Sequence, residues 1–100
     1  MASNRKLITA KKAQHQLDEL IYKLEAGSPD FAKKFIEQFN TTTDLILQFP
    51  FMFKAPNSKK KNIRKALVTK YISYYYRVNQ KSIRILFLVY NRSDPKSYEI

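Results

Sequence analysis

Apolar spacing changes character once along this chain, and Pro50 stands between the two regimes. Before it, Ala10, Ala13, Leu17, Leu20, Ile21 and Leu24 fall at the steps of three and four that mark one face of a helix. Ala32, Phe35, Ile36, Phe39, Ile46 and Phe49 continue such a face in a second segment. After it come runs of β-branched and aromatic residues, Tyr71-Ile72-Ser73-Tyr74-Tyr75-Tyr76-Arg77-Val78 and Ile83 to Tyr90, which favour strands. Helices in one block and strands in another argue for an α+β fold rather than an alternating α/β one.

The boundaries are written in turn chemistry. A short strand is expected at 5–9, then helices at 10–26 and 29–49. Gly27, the single glycine, is expected to end the first helix as a left-handed cap. Ser28-Pro29-Asp30 starts the second: serine can cap, proline fits the first turn, and aspartate suits the positive helix end. Thr41-Thr42-Thr43 weakens helix propensity without ending the helix. Pro50 ends it, because the residue before a proline avoids helical angles. Residues 51–61 read as a loop whose aromatic start tucks under the helices. Strands are expected at 62–70, 71–78 and 83–90, with Asn79-Gln80-Lys81-Ser82 as a turn. Strict alternation in the last strand puts Ile83, Ile85, Phe87 and Val89 on one face and Arg84, Leu86, Leu88 and Tyr90 on the other. The expected architecture is two-layered, an antiparallel helix hairpin packed on a C-terminal antiparallel β-meander. One hundred residues fit a single domain, 1–100.

Composition removes several kinds of chemistry. There are no cysteines, so disulfides, thiol catalysis and thiolate metal sites are excluded. A single histidine, His15, in a polar helical stretch reads as solvated and leaves no His-rich metal centre. One glycine cannot make a glycine-rich phosphate loop. The carboxylates are scattered over the helices, so neither a Mg²⁺ site nor an acid–base pair is well supplied. No cofactor is expected. No apolar run is long enough for a membrane span or signal peptide, so a cytoplasmic protein with no membrane partner is expected.

What remains is lysine, arginine and tyrosine. Between Leu45 and Ser93 there is no acidic residue, whereas eleven bases lie there. The formal net charge of +11 is thus concentrated in the second half. A one-signed surface draws in polyanions or acidic proteins. Candidate contacts are Lys59, Lys60, Lys61, Arg64, Lys65, Arg77, Arg84 and Arg92, with Tyr74, Tyr75 and Tyr76 on the middle strand. Such groups grip phosphates, stack on bases, or stabilise a phosphate transition state. Tyr98 lies near enough to Arg92 to return to the same rim.

Several segments share their order and spacing with a known family. They are Ala13, Leu17 and Leu20 in the opening helix, Ala32-Lys33-Lys34-Phe35 in the second, and the helix-ending Phe49-Pro50. Ile63-Arg64-Lys65-Ala66-Leu67-Val68 and Lys70 to Val78 follow, then Ile83-Arg84-Ile85-Leu86 and the closing Asn91-Arg92-Ser93-Asp94-Pro95. Together they resemble the RelE/ParE superfamily of bacterial type II toxin–antitoxin toxins, also called plasmid stabilisation proteins. The resemblance implies a small toxin held inactive by a cognate acidic antitoxin that folds on it and covers part of the sheet and the helix grooves. ParE-like members poison DNA gyrase by a protein contact. RelE-like members are endoribonucleases acting on ribosome-bound mRNA. On that second reading Arg92 and Tyr98 match two of the working groups, with Arg64 or Lys65 replacing an arginine where this chain has Val68 or Thr69. The incomplete nuclease set and the closing segment favour the ParE-like branch, and the chain is an enzyme only on the RelE-like reading. A non-toxic, basic nucleic-acid-binding module is the third possibility.

Overall fold

The computed structural model describes residues 5–91. In chain order these form β1 (Lys6–Thr9), α1 (Lys11–Gly27), α2 (Pro29–Gln48), β2 (Ile63–Leu67), β3 (Ile72–Val78) and β4 (Ser82–Tyr90). The four strands make one sheet in the order β1-β4-β3-β2. β2, β3 and β4 are the expected antiparallel meander. β1 joins parallel to β4, from Lys6↔Ser82 to Thr9↔Ile85, so the sheet is mixed and β4 is interior. The two helices cover one face.

The junction between the helices differs from expectation. Gly27 is the last residue of α1 and does not adopt a positive φ. The break is made by Ser28 alone, extended at φ −158° and ψ 104°. Pro29 explains this, since the residue before proline is pushed to extended angles and the helix stops without a left-handed cap. Ser28 then serves both helices. Its N–H donates to the Leu24 carbonyl (2.6 Å), and its Oγ accepts from the Phe31 N–H (3.3 Å). A Cβ added at Gly27 would meet no heavy atom within 4 Å. Gly27→Ala is therefore expected to raise stability by about 0.5–1 kcal/mol, read as a higher urea midpoint. A loss of stability would show that glycine is needed there after all.

Packing follows the helical periods. Ala13 and Leu20 of α1 and Phe35, Phe39 and Ile46 of α2 meet Ala66, Ile72, Tyr74, Tyr76, Val78, Ile83, Ile85 and Leu88 of the sheet. A chain of rings runs through this core: Phe35 to Phe39 (centroids 6.1 Å), Phe39 to Tyr74 (5.3 Å) and Tyr74 to Tyr76 (6.2 Å, edge to face). Each buried phenol has a partner, as such groups must. Tyr74 shares a hydrogen bond with Thr43 Oγ1 (2.8 Å), and Tyr76 donates to the Pro50 carbonyl (2.6 Å). The threonines that weaken helix propensity are thus where α2 contacts the sheet. Thr42 Oγ1 also donates to the Leu67 carbonyl (3.4 Å).

Strand boundaries move, by one residue at the starts of all four strands and by three at the end of β2. The strand expected over 62–70 ends at Leu67, because Thr69 closes a tight turn. Its Oγ1 accepts from the N–H groups of Tyr71 (3.0 Å) and Ile72 (3.1 Å), a local bond that competes with the ladder. β3 accordingly begins at Ile72 rather than 71. In β4 the register slips between Tyr75↔Phe87 and Tyr76↔Ile85, leaving Leu86 as a bulge residue. The strict alternation expected for this strand is therefore broken. Ile83, Ile85 and Leu88 face the core, and Phe87 turns out to the other side.

β1 is short, so β4 runs on past it. There Gln16 of α1 takes the place of a strand. Its Oε1 accepts from the Leu88 N–H (2.8 Å) and its Nε2 donates to the Leu88 carbonyl (3.1 Å).

Candidate functional site

Cross-strand pairing sorts the basic residues by face. Positions directly opposite on neighbouring strands share a face, and steps of two along a strand keep it. The pairs Lys65↔Tyr75 and Tyr75↔Phe87 therefore form one row across β2, β3 and β4 on the side away from the helices. The next row is Ile63↔Arg77↔Arg84, continued to Ile8 of β1.

The first row is a layered stack. The Tyr75 and Phe87 rings lie 5.0 Å apart and 31° from parallel. Lys65 Nζ sits 5.9 Å from the Tyr75 centroid, and Lys12 Nζ, from the first turn of α1, sits 5.4 Å from that of Phe87. In the second row Arg77 and Arg84 are exposed and face one another across adjacent strands. Like charges so placed repel. Neither a histidine nor a carboxylate lies on this face among the described residues.

Arg64 is elsewhere. It pairs with Tyr76 on the helix side of β2, opposite in facing to Lys65. Its Nε donates to the Lys61 carbonyl (2.7 Å), its Nη1 to the carbonyls of Phe53 (3.0 Å) and Phe51 (3.4 Å), and its guanidinium lies 4.8 Å from the Phe51 ring. These bonds hold the loop between α2 and β2 against the sheet. Lys59, Lys60 and Lys61 are exposed on that loop, in a turn organised by Asn57, whose Oδ1 accepts from the Lys59 N–H (2.9 Å). Val68 is buried and Thr69 is occupied in its turn, so neither offers a charge. Arg92 and Tyr98 lie outside the described residues. Asn91, just before them, is anchored by its N–H to the Tyr71 carbonyl (2.7 Å) and by Ser73 Oγ donating to its Oδ1 (3.0 Å).

Tyr74 and Tyr76 belong to the core and are unavailable as proton donors. Burial raises the Tyr74 phenol well above its ordinary value. Burial also pushes Tyr76 up to about 12, against the lowering effects of Arg64 and the Phe53 backbone.

A second feature is an apolar groove of about 570 Å³ between the helices and the β3–β4 end of the sheet. Leu20, Leu24, Phe31, Phe35, Tyr71 and Tyr90 line it, with Lys34 and Lys70 among the polar residues. Phe31, Tyr71 and Tyr90 remain 64%, 55% and 68% exposed, which is unusual for three large rings around one concavity. Among the described residues no group of three or more histidines, cysteines or carboxylates could hold a metal ion. No helix there is long and apolar enough to cross a membrane.

Sequence reasoning singled out Lys65, Tyr75, Arg77 and Arg84, which the sheet brings onto one face. It missed Phe87, placed in the opposite set by strict alternation, and Lys12, in the first turn of the first helix. The acid-free run from Leu45 was the available signal for a charged face; nothing in the sequence marked the bulge.

The family model described as "ParE toxin of type II toxin-antitoxin system, parDE" matches residues 7–95. No curated protein sequence matches. Among solved structures, the chain is similar to one from the chromosomal ParDE toxin–antitoxin system of P. aeruginosa, with 20% identity over 87% of this chain and 96% of that one, at a TM-score of 0.68. It is also similar to the conserved hypothetical protein HP0894 from Helicobacter pylori, with 21% identity over 91% of this chain and 96% of that one, at a TM-score of 0.57. At such identities the structural likeness speaks to the fold, two helices on a four-stranded mixed sheet.

Proposed function

This chain belongs to the ParE toxin family of type II toxin–antitoxin systems, and from that premise we propose that it inhibits DNA gyrase by a protein contact, with no chemistry of its own. The observation that carries the reading is the open sheet face. It holds cations and rings but, among the described residues, no histidine or carboxylate to move a proton near neutral pH. Arg64, the nearest stand-in for a nuclease arginine, is spent on holding a loop. The contact surface on this reading is the sheet face that carries Lys65, Arg77 and Arg84.

Neutralisation by an acidic antitoxin completes the proposal. The groove ringed by Phe31, Tyr71 and Tyr90, with Lys34 and Lys70 on its wall, suits an amphipathic segment carrying carboxylates. The test is a supercoiling assay with purified gyrase and relaxed plasmid. Supercoiling is expected to stop as the chain is added in excess, and to resume when the antitoxin from the same module is present. Normal supercoiling at excess chain overturns the gyrase reading. Codon-positioned message cuts on induction would replace it with the ribonuclease one.

A further inference from the structure

We propose that the open sheet face binds single-stranded DNA, with Tyr75 and Phe87 as the stacking platform and Lys12, Lys65, Arg77 and Arg84 along the phosphates. The inference rests on the gyrase reading for the source of its ligand, since a topoisomerase cuts the strands of the duplex it acts on and so exposes their ends.

Three features converge on that ligand. The first is the stack itself: two rings 5.0 Å apart and 31° from parallel, only partly buried, on a face that no helix among the described residues covers. Bases stack on such rings whatever their sequence. The second is what lies over the rings at present. Each carries a lysine ammonium, at 5.9 Å from Tyr75 and 5.4 Å from Phe87. An exposed cation–π contact is weaker than a base–aromatic stack, so an incoming base displaces the ammonium and leaves it beside the base's own phosphate. The third is the Arg77–Arg84 pair, one row away along the strands, about 6.8 Å. Two guanidiniums held opposite one another repel until an anion lies between them.

The platform also selects for unpaired strands. Ring stacking requires bases already splayed from a duplex, whereas a purely electrostatic patch prefers the denser charge of double-stranded DNA. An acidic peptide would satisfy the cations and leave the rings idle.

The experiment follows a fluorescein-labelled oligothymidylate by polarisation over a series of salt concentrations, with the purified full chain and without gyrase. The single strand is expected to bind more tightly than a duplex of equal length at the same salt. Tyr75→Leu and Phe87→Leu are each expected to weaken binding roughly ten-fold without changing the salt slope. The double variant Arg77→Ala/Arg84→Ala is expected to lower the slope by about 1.4, at about 0.7 for each phosphate that is no longer neutralised. Equal or tighter binding of the duplex, displacement by poly-glutamate as effective as by unlabelled oligonucleotide, or ring variants that bind like the parent would each overturn the proposal. If a ring variant fails to fold by circular dichroism, the strand preference and the slope of the exposed arginine pair decide alone. If the unsubstituted chain stops supercoiling but does not bind the oligonucleotide, this inference falls and the gyrase reading stands.

Discussion

Tyr74→Ala is expected to lower the free energy of unfolding by about 3–5 kcal/mol, a large share of what a domain of this size typically has. Tyr74 has no exposed surface, touches Phe39 at 5.3 Å and Tyr76 at 6.2 Å, and is the point where α2 meets the centre of the sheet through Thr43. Truncation removes the ring and leaves a hole between layers that cannot close, because Ile46, Ile83 and Ile85 around the same core are already fully buried. Tyr74→Phe separates the ring from its hydroxyl. It keeps the packing and loses one hydrogen bond, so about 1 kcal/mol is expected. The small cost reflects Thr43, which sits in a helix and can turn its hydroxyl to a carbonyl of the preceding turn. Urea unfolding of both variants checks this; a loss near 1 kcal/mol for alanine as well would mean the ring is not central to the core.

The second large effect is alkaline. Both core phenols have acidities weakened by burial, Tyr74 strongly and Tyr76 to about 12, against an ordinary value of 10.0. The folded chain therefore keeps protons that the unfolded chain releases. The stabilisation is complete below about pH 10 and falls as the pH rises towards about 12. Each phenol costs about 1.4 kcal/mol per pH unit across that window, so the pair costs about 2.8 kcal/mol per unit. Urea midpoints are expected to hold up to about pH 9.5 and then drop steeply, ahead of general denaturation. Tyr76→Phe should halve the steepness while lowering stability slightly at neutral pH, where the bond to the Pro50 carbonyl is lost. A midpoint that stays level through about pH 11 would sink the account.

The helices, the strands and their order were legible because they rest on repeated spacing: many residues vote for each. What stayed hidden depends on single residues. An inserted residue such as Leu86 leaves no compositional trace inside the apolar run from Ile83 to Tyr90, yet it turns Phe87 from the core side to the open face. Val68 and Thr69 both favour strands by type, and only the Thr69 hydroxyl, bonded to two backbone N–H groups, makes them a turn. Gly27 invited a left-handed cap, but the following Ser-Pro step overrode it. The site was half visible for a similar reason. Alternation shows that Arg64 and Lys65 point in opposite directions, but not which of them meets the helices. The parallel pairing of β1, a contact across more than seventy residues, has no local signature at all.

The carboxamide of Gln16 on Leu88 bears on how the chain survives its own synthesis. An unpaired stretch of interior strand invites a second copy to add on, and so seeds aggregation. Here the guard is made first: α1 leaves the ribosome long before β4, so a plug for that open edge is already waiting when the hazardous segment emerges.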